Sequence, residues 1–152
     1  MERVSVMENL PHALSFRELL VYQKARKLAQ DVFEQSKLFP KEETYALTDQ
    51  IRRSSRSIGA QIAEAWAKRR YERSFVSKLT DADGEQQETQ HWIGIVFDCG
   101  YLTEQIARQF RSDAQEIGRL LAGMIAKSES FCSGGGGNLK ELSPEYLVAD
   151  QK

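Results

Sequence analysis

The sequence predicts an all-α protein, an antiparallel up-and-down four-helix bundle. Three observations predict it. Prolines stand only at Pro11, Pro40 and Pro144, so nothing between Lys41 and Ser143 interrupts a helix. Four stretches carry apolar residues at intervals of three and four. The strict apolar–polar alternation of a half-buried strand is nowhere sustained. Four amphipathic helices with short connections favour antiparallel neighbours around one core.

The first helix is predicted over 16–38. Ser15 and Glu18 have the spacing of a capping box, and Leu14 and Leu19 stand where a hydrophobic staple would. Val21, Ala25, Leu28 and Val32 form its stripe, widened by Phe16, Leu20, Ala29 and Phe33. Pro40 disfavours helix in the residue before it.

The second helix, 42–69, opens with Glu42 and Glu43, which suit the positive end of a helix dipole. Its stripe is Leu47, Ile51, Ser55, Ile58, Ile62 and Ala65. Ser55, Gly59 and Ala63 are small enough to admit a close neighbour. Gly59 costs about 1 kcal/mol of helix propensity relative to alanine, which close packing would offset.

No glycine or proline marks the end of the second helix, and the turn is placed near Arg69 to Glu72. The third helix, 73–99, has Phe75, Leu79, Ala82, Ile93 and Val96 on one face and ends at Gly100. Thr103 caps the fourth, 103–130, whose stripe is Ile106, Phe110, Ile117, Leu121 and Met124. Trp66, Trp92, Ile95 and Tyr101 fall outside the narrowest stripes. They either complete the protomer core or build a subunit interface, where aromatic residues are enriched.

The domain reading is a flexible segment at 1–14, the bundle at 15–131, and a glycine-rich linker with a tail at 132–152. Gly134 to Gly137 suit a flexible linker. Few contacts are expected to cross it, although Leu139, Leu142, Tyr146 and Leu147 offer a short docking segment.

The composition, 41% hydrophobic and 28% charged, is that of an ordinary soluble globular chain. Cys99 and Cys132 make neither a disulfide framework nor a metal-ligand spacing. Two reduced thiols, no signal-peptide pattern and no apolar run of membrane-spanning length point to the cytoplasm and away from a membrane.

No catalytic residues, cofactor or metal site are expected. His12 and His91 belong to no metal or nucleophile motif. Glu88 and His91 form one ExxH, but a di-metal bundle needs a second. Asp81, Asp83, Glu85 and Glu88 are read as a solvated acidic face.

The formal net charge is −1, which excludes a globally basic nucleic-acid binder. The distribution is uneven. Arg52, Arg53, Arg56, Lys68, Arg69, Arg70 and Arg73 are accompanied by only Glu64 and Glu72. From Leu79 to Glu104 there are acidic residues and no lysine or arginine. The seven cations are the candidate phosphate-binding patch, with RNA or DNA as the partner. Ordinary solvated faces that pair within the chain are the plainer reading. Glu64, among small and apolar neighbours, is expected to be partly shielded and to need a partner such as Arg52, Arg53 or Arg56 from a neighbouring segment or subunit, with Gln61 assisting.

At RRSSRSIGAQIAEAWAKR the chain resembles the four-helix bundle proteins encoded in 23S rRNA intervening sequences. Those proteins are related in fold to retroelement accessory variability proteins. The resemblance runs from about Phe16 to Phe131. The family motif, roughly SIPxNIAEG, corresponds here to a structural motif of Ser57, Ile58, Gln61, Ile62, Ala63 and Glu64. Gly59, Gln61 and Ala65 replace its proline, asparagine and glycine, which implies a straighter second helix. The resemblance implies an antiparallel bundle assembled as a ring-like homopentamer and no enzymatic activity, with nucleic acid as its functional theme. A protein-interaction scaffold without nucleic-acid binding is the alternative.

Overall fold

The computed structural model describes residues 15–132 and 144–148. Four long helices follow one another: α1 Leu20–Ser36, α2 Asp49–Ala67, α3 Glu72–Asp98 and α4 Glu104–Ala126, with a final turn α5 Ser128–Phe131. Each packs on the next and α4 closes back on α1, which is the antiparallel four-helix bundle. At 1.5 Å per residue, α3 is about 40 Å long and sets the length of the rod.

The core is built from the predicted stripes. Val21, Ala25, Leu28 and Val32 face Leu47, Ile51, Ile58 and Ile62, then Phe75, Leu79, Ile93 and Val96, then Phe110, Ile117, Leu121 and Met124, all buried. Trp66 joins this core, and Trp92, Ile95 and Tyr101 lie half-buried along its margin. Between α2 and α3 the core turns polar. The Thr89 and Ser54 hydroxyls meet at 3.0 Å, and the Thr89 hydroxyl donates to the Glu85 carbonyl at 2.8 Å.

The α1 start differs from expectation. Ser15 accepts from the Arg17 N–H at 3.1 Å, and Phe16–Glu18 form a single 3-10 turn. Leu19 is then extended, and the α-helix begins only at Leu20. Leu19 is buried and pairs with Leu147 in an isolated antiparallel bridge, while Val148 N–H donates to the Glu18 carbonyl at 2.8 Å. A backbone partner from outside the helix thus engages the Glu18 carbonyl at the point where the expected first turn breaks. Leu14, the other half of the expected staple, lies outside the described residues, as do Leu139 and Leu142.

That partner belongs to the tail. Pro144–Tyr146 form a 3-10 turn whose Tyr146 ring is buried against Phe131. Contacts therefore cross the glycine run, contrary to the expectation of a decoupled segment. The docking alternative holds for Tyr146 and Leu147.

The chain enters α2 through a 3-10 turn, Lys41–Glu43, and one π-helical turn, Thr44–Thr48. α2 then runs unbroken through Gly59, in agreement with the loss of the motif's proline. α3 ends in a Schellman motif. Gly100 takes φ +80°, its N–H donates to Phe97, and the Tyr101 N–H donates to Val96 at 3.1 Å. Thr103 caps α4 by accepting from the Ile106 N–H at 3.2 Å.

Candidate nucleic-acid interface

The seven predicted cations do not share one face. Arg52 and Arg56 lie on the α1 side of α2, both over the Phe33 ring, at 4.8 and 5.1 Å. Arg52 Nε also donates to the Ser36 hydroxyl at 2.7 Å, tying the end of α1 to the start of α2. Arg53, one position along, turns to α3 and pairs with Glu85 and Glu88. There the plainer reading applies: basic and acidic faces neutralise each other within the chain. The Trp92 indole N–H also donates to Glu88, and with Arg53 it holds this carboxyl below its ordinary range. The ExxH of Glu88 and His91 is thereby engaged in packing; His91 meets the Trp92 ring edge-on at 4.9 Å. Among the described residues no cluster of three metal-ligating side chains occurs.

Lys68, Arg69, Arg70 and Arg73 cluster at the α2–α3 turn, at one end of the rod. Arg69 turns inward: its guanidinium stacks 3.5 Å from the Trp66 ring centre and its Nε donates to the Trp66 carbonyl at 2.9 Å. Burial lowers its pKa from the ordinary arginine value, and its Nη1 is buried without a hydrogen-bond partner among the described residues. Lys68, Arg70 and Arg73 are exposed, and no ion pair is formed by any of them among the described residues. The nearby Glu72 carboxylate is occupied by the Ser128 hydroxyl at 2.6 Å.

The motif residues are structural in differing degrees. Ile58 and Ile62 are fully buried; Ser57, Gln61 and Ala63 are half-buried. Gln61 Oε1 is buried and lacks a partner among the described residues. Glu64 departs from expectation. Its side chain is 48% exposed and pairs with Lys78 of α3 at 3.4 Å, not with Arg52, Arg53 or Arg56. Within one protomer those arginines lie about two to three helical turns away along α2, beyond reach. Helical spacing within α2 has no way to nominate Lys78, which enters from the adjacent helix.

A surface feature absent from the sequence reading lies between α1 and α2. Ala25, Ala29, Gly59, Ala60 and Ala63 floor an open groove, walled by Phe16 and Tyr22 and rimmed by Arg26 and Arg56. Its small residues are visible in the sequence, but the late start of α1, which sets Phe16 beside Tyr22, is not. The two rings meet edge-on at 4.8 Å.

Fold and surface together define an antiparallel four-helix bundle protein with separate basic and apolar surface features. The chain belongs to the 23S rRNA-intervening sequence protein family: the family's sequence profile matches residues 17–123. A solved structure from Bacteroides thetaiotaomicron, described as a protein with unknown function from the S23 ribosomal protein family, is similar to it. The two are 30% identical with a TM-score of 0.65, over 70% of this chain and 96% of the other. Comparison with curated proteins returns no match. Among the described residues no helix is long and apolar enough to cross a membrane.

Proposed function

We propose that the chain is a non-enzymatic module of the cytoplasm that works as a homo-oligomer, with five subunits the leading number. The observation that carries the self-association is the α1–α2 groove. It pairs a floor of small residues with aromatic walls and arginines that form no ion pair among the described residues. A second copy is the occupant this favours, because small residues let a helix approach closely and arginine and aromatic residues are enriched at interfaces. The number five rests on the family resemblance. Light scattering at micromolar concentration tests it: a multiple of 17.3 kDa is expected, and the monomer mass refutes it.

A second reading concerns nucleic acid. Lys68, Arg70 and Arg73 are exposed cations without carboxylate partners among the described residues, grouped at one end of the rod. Repetition of this end in an oligomer would multiply weak phosphate contacts through avidity. Binding to structured RNA is expected to be indifferent to sequence and to fall steeply with salt. The Lys68→Glu/Arg70→Glu/Arg73→Glu variant is expected to lose it with its helical spectrum intact. No association at low salt by an intact oligomer leaves the scaffold reading alone.

A further inference from the structure

The end of the bundle where α1 begins and α4 stops carries a cleft that is filled. Its occupant is the chain's own segment 144–148. Four contacts of different kinds converge there. The Val148 N–H donates to the Glu18 carbonyl at 2.8 Å, and Leu147 pairs with the extended Leu19. Glu145 forms an ion pair with Lys127 at 2.9 Å. The Tyr146 ring sits edge-on to Phe131, 5.5 Å between centres, with the Lys127 ammonium 5.4 Å above it. Beneath the ring lies Gly123. A Cβ at that position would stand 2.2 Å from the Tyr146 hydroxyl and 3.2 Å from its Cζ, so only glycine leaves room for the tyrosine.

This combination is how a receptor holds a short peptide: one strand-like backbone pairing for affinity, and pockets for particular side chains for specificity. It also resolves the broken start of α1, since Leu19 is extended in order to pair. We propose that the cleft formed by Leu19, Gly123, Lys127 and Phe131 is a binding site for short acidic–tyrosine–aliphatic peptide segments. Glu145, Tyr146 and Leu147 are its resident and displaceable occupant. The partner that fits is a second polypeptide carrying the same three-residue pattern where a single 3-10 turn opens into a strand-like residue.

Because residues 144–148 belong to the same chain as their cleft, their binding is intramolecular, with an effective concentration on the order of millimolar. A free peptide therefore competes poorly with the intact tail and well with a disabled one. The test uses a fluorescein-labelled peptide of residues 141–150 and the full-length chain, read by fluorescence polarisation. The Tyr146→Ala/Leu147→Ala chain is expected to bind it at least tenfold more tightly than the wild type. Adding Gly123→Ala to that chain should abolish binding without changing the helical spectrum. A folded double variant that does not bind, or binds no better than wild type, overturns the proposal. So does a triple variant that still binds. Should the double variant lose its helix, the wild-type chain decides. Millimolar unlabelled peptide must then speed hydrogen exchange at the Val148 amide and leave the α-helical amides unchanged. No acceleration overturns the proposal.

Discussion

Thr89→Val tests the polar contact inside the α2–α3 interface. Thr89 and Ser54 are both fully buried, and their hydroxyls meet at 3.0 Å. Valine keeps the branched shape and removes the hydroxyl. The Glu85 carbonyl loses one of two donors but keeps the Thr89 N–H of the helix. Ser54 fares worse, because its remaining acceptor is the Ile51 carbonyl at a long 3.4 Å. A buried hydroxyl left so poorly satisfied costs about 1–2 kcal/mol. Ser54→Ala is milder, about 1 kcal/mol, because Thr89 keeps its 2.8 Å bond to Glu85. The double variant strands no hydroxyl. It should fall short of the sum of the singles by about 1 kcal/mol, the signature of direct coupling. Urea titration followed by far-ultraviolet circular dichroism, at one protomer concentration throughout, measures all four chains. For a domain of this size, 1 kcal/mol corresponds to roughly 4 °C in melting temperature. Additivity to within about 0.3 kcal/mol would refute the reasoning.

The thiols should separate cleanly: Cys99 is exposed, whereas burial pushes the Cys132 thiol up to about 11, so Ellman's reagent at neutral pH should titrate one thiol quickly and the second only on unfolding. For the same reason Cys132 contributes stability that is present below the ordinary thiol value of 9.0 and lost as pH rises toward 11; Cys132→Ala should flatten that alkaline loss in a pH series of melting temperatures. Glu88 runs the other way, since its folded pKa is depressed: its contribution is present above the ordinary carboxylate value and lost as pH falls through the folded one, and Glu88→Gln should flatten the acid limb. Gly100→Ala should cost roughly 1–2 kcal/mol, because φ +80° is left-handed, and an unchanged melting temperature would contradict the Schellman stop. Glu64→Ala should change stability by less than about 1 kcal/mol, as befits a half-exposed pair with Lys78; lost assembly in that variant would restore an interfacial role to Glu64.

The helices were legible wherever one element's own pattern decides them. Ile51, Ile58 and Ile62 repeat at helical spacing and are buried to 1% or less, and Gly100 and Thr103 supply the stop and the cap through local chemistry. What failed to show was whatever two elements decide together. Ser15 and Glu18 carry a correct local cap signal, but Leu147, more than a hundred residues away in the chain, offers a competing backbone pairing at Leu19 and displaces the first turn. The basic stretch read as one patch because the chain lists its cations consecutively. The bundle distributes them by angle, so Arg53 meets acids on α3 while Arg52 and Arg56 meet Phe33 on α1. Within the protomer Glu64 takes its partner, Lys78, from the adjacent helix for the same reason.

Gly59 sets two selective demands against each other. A Cβ there would meet the Tyr22 ring at 3.5 Å, ordinary contact distance, so the packing of the protomer does not require glycine. Alanine would instead add about 1 kcal/mol of helix propensity. It would do so by raising the floor of the α1–α2 groove. A library sorted for heat resistance as isolated protomers should therefore enrich Gly59→Ala, and the survivors should assemble less well than the parent.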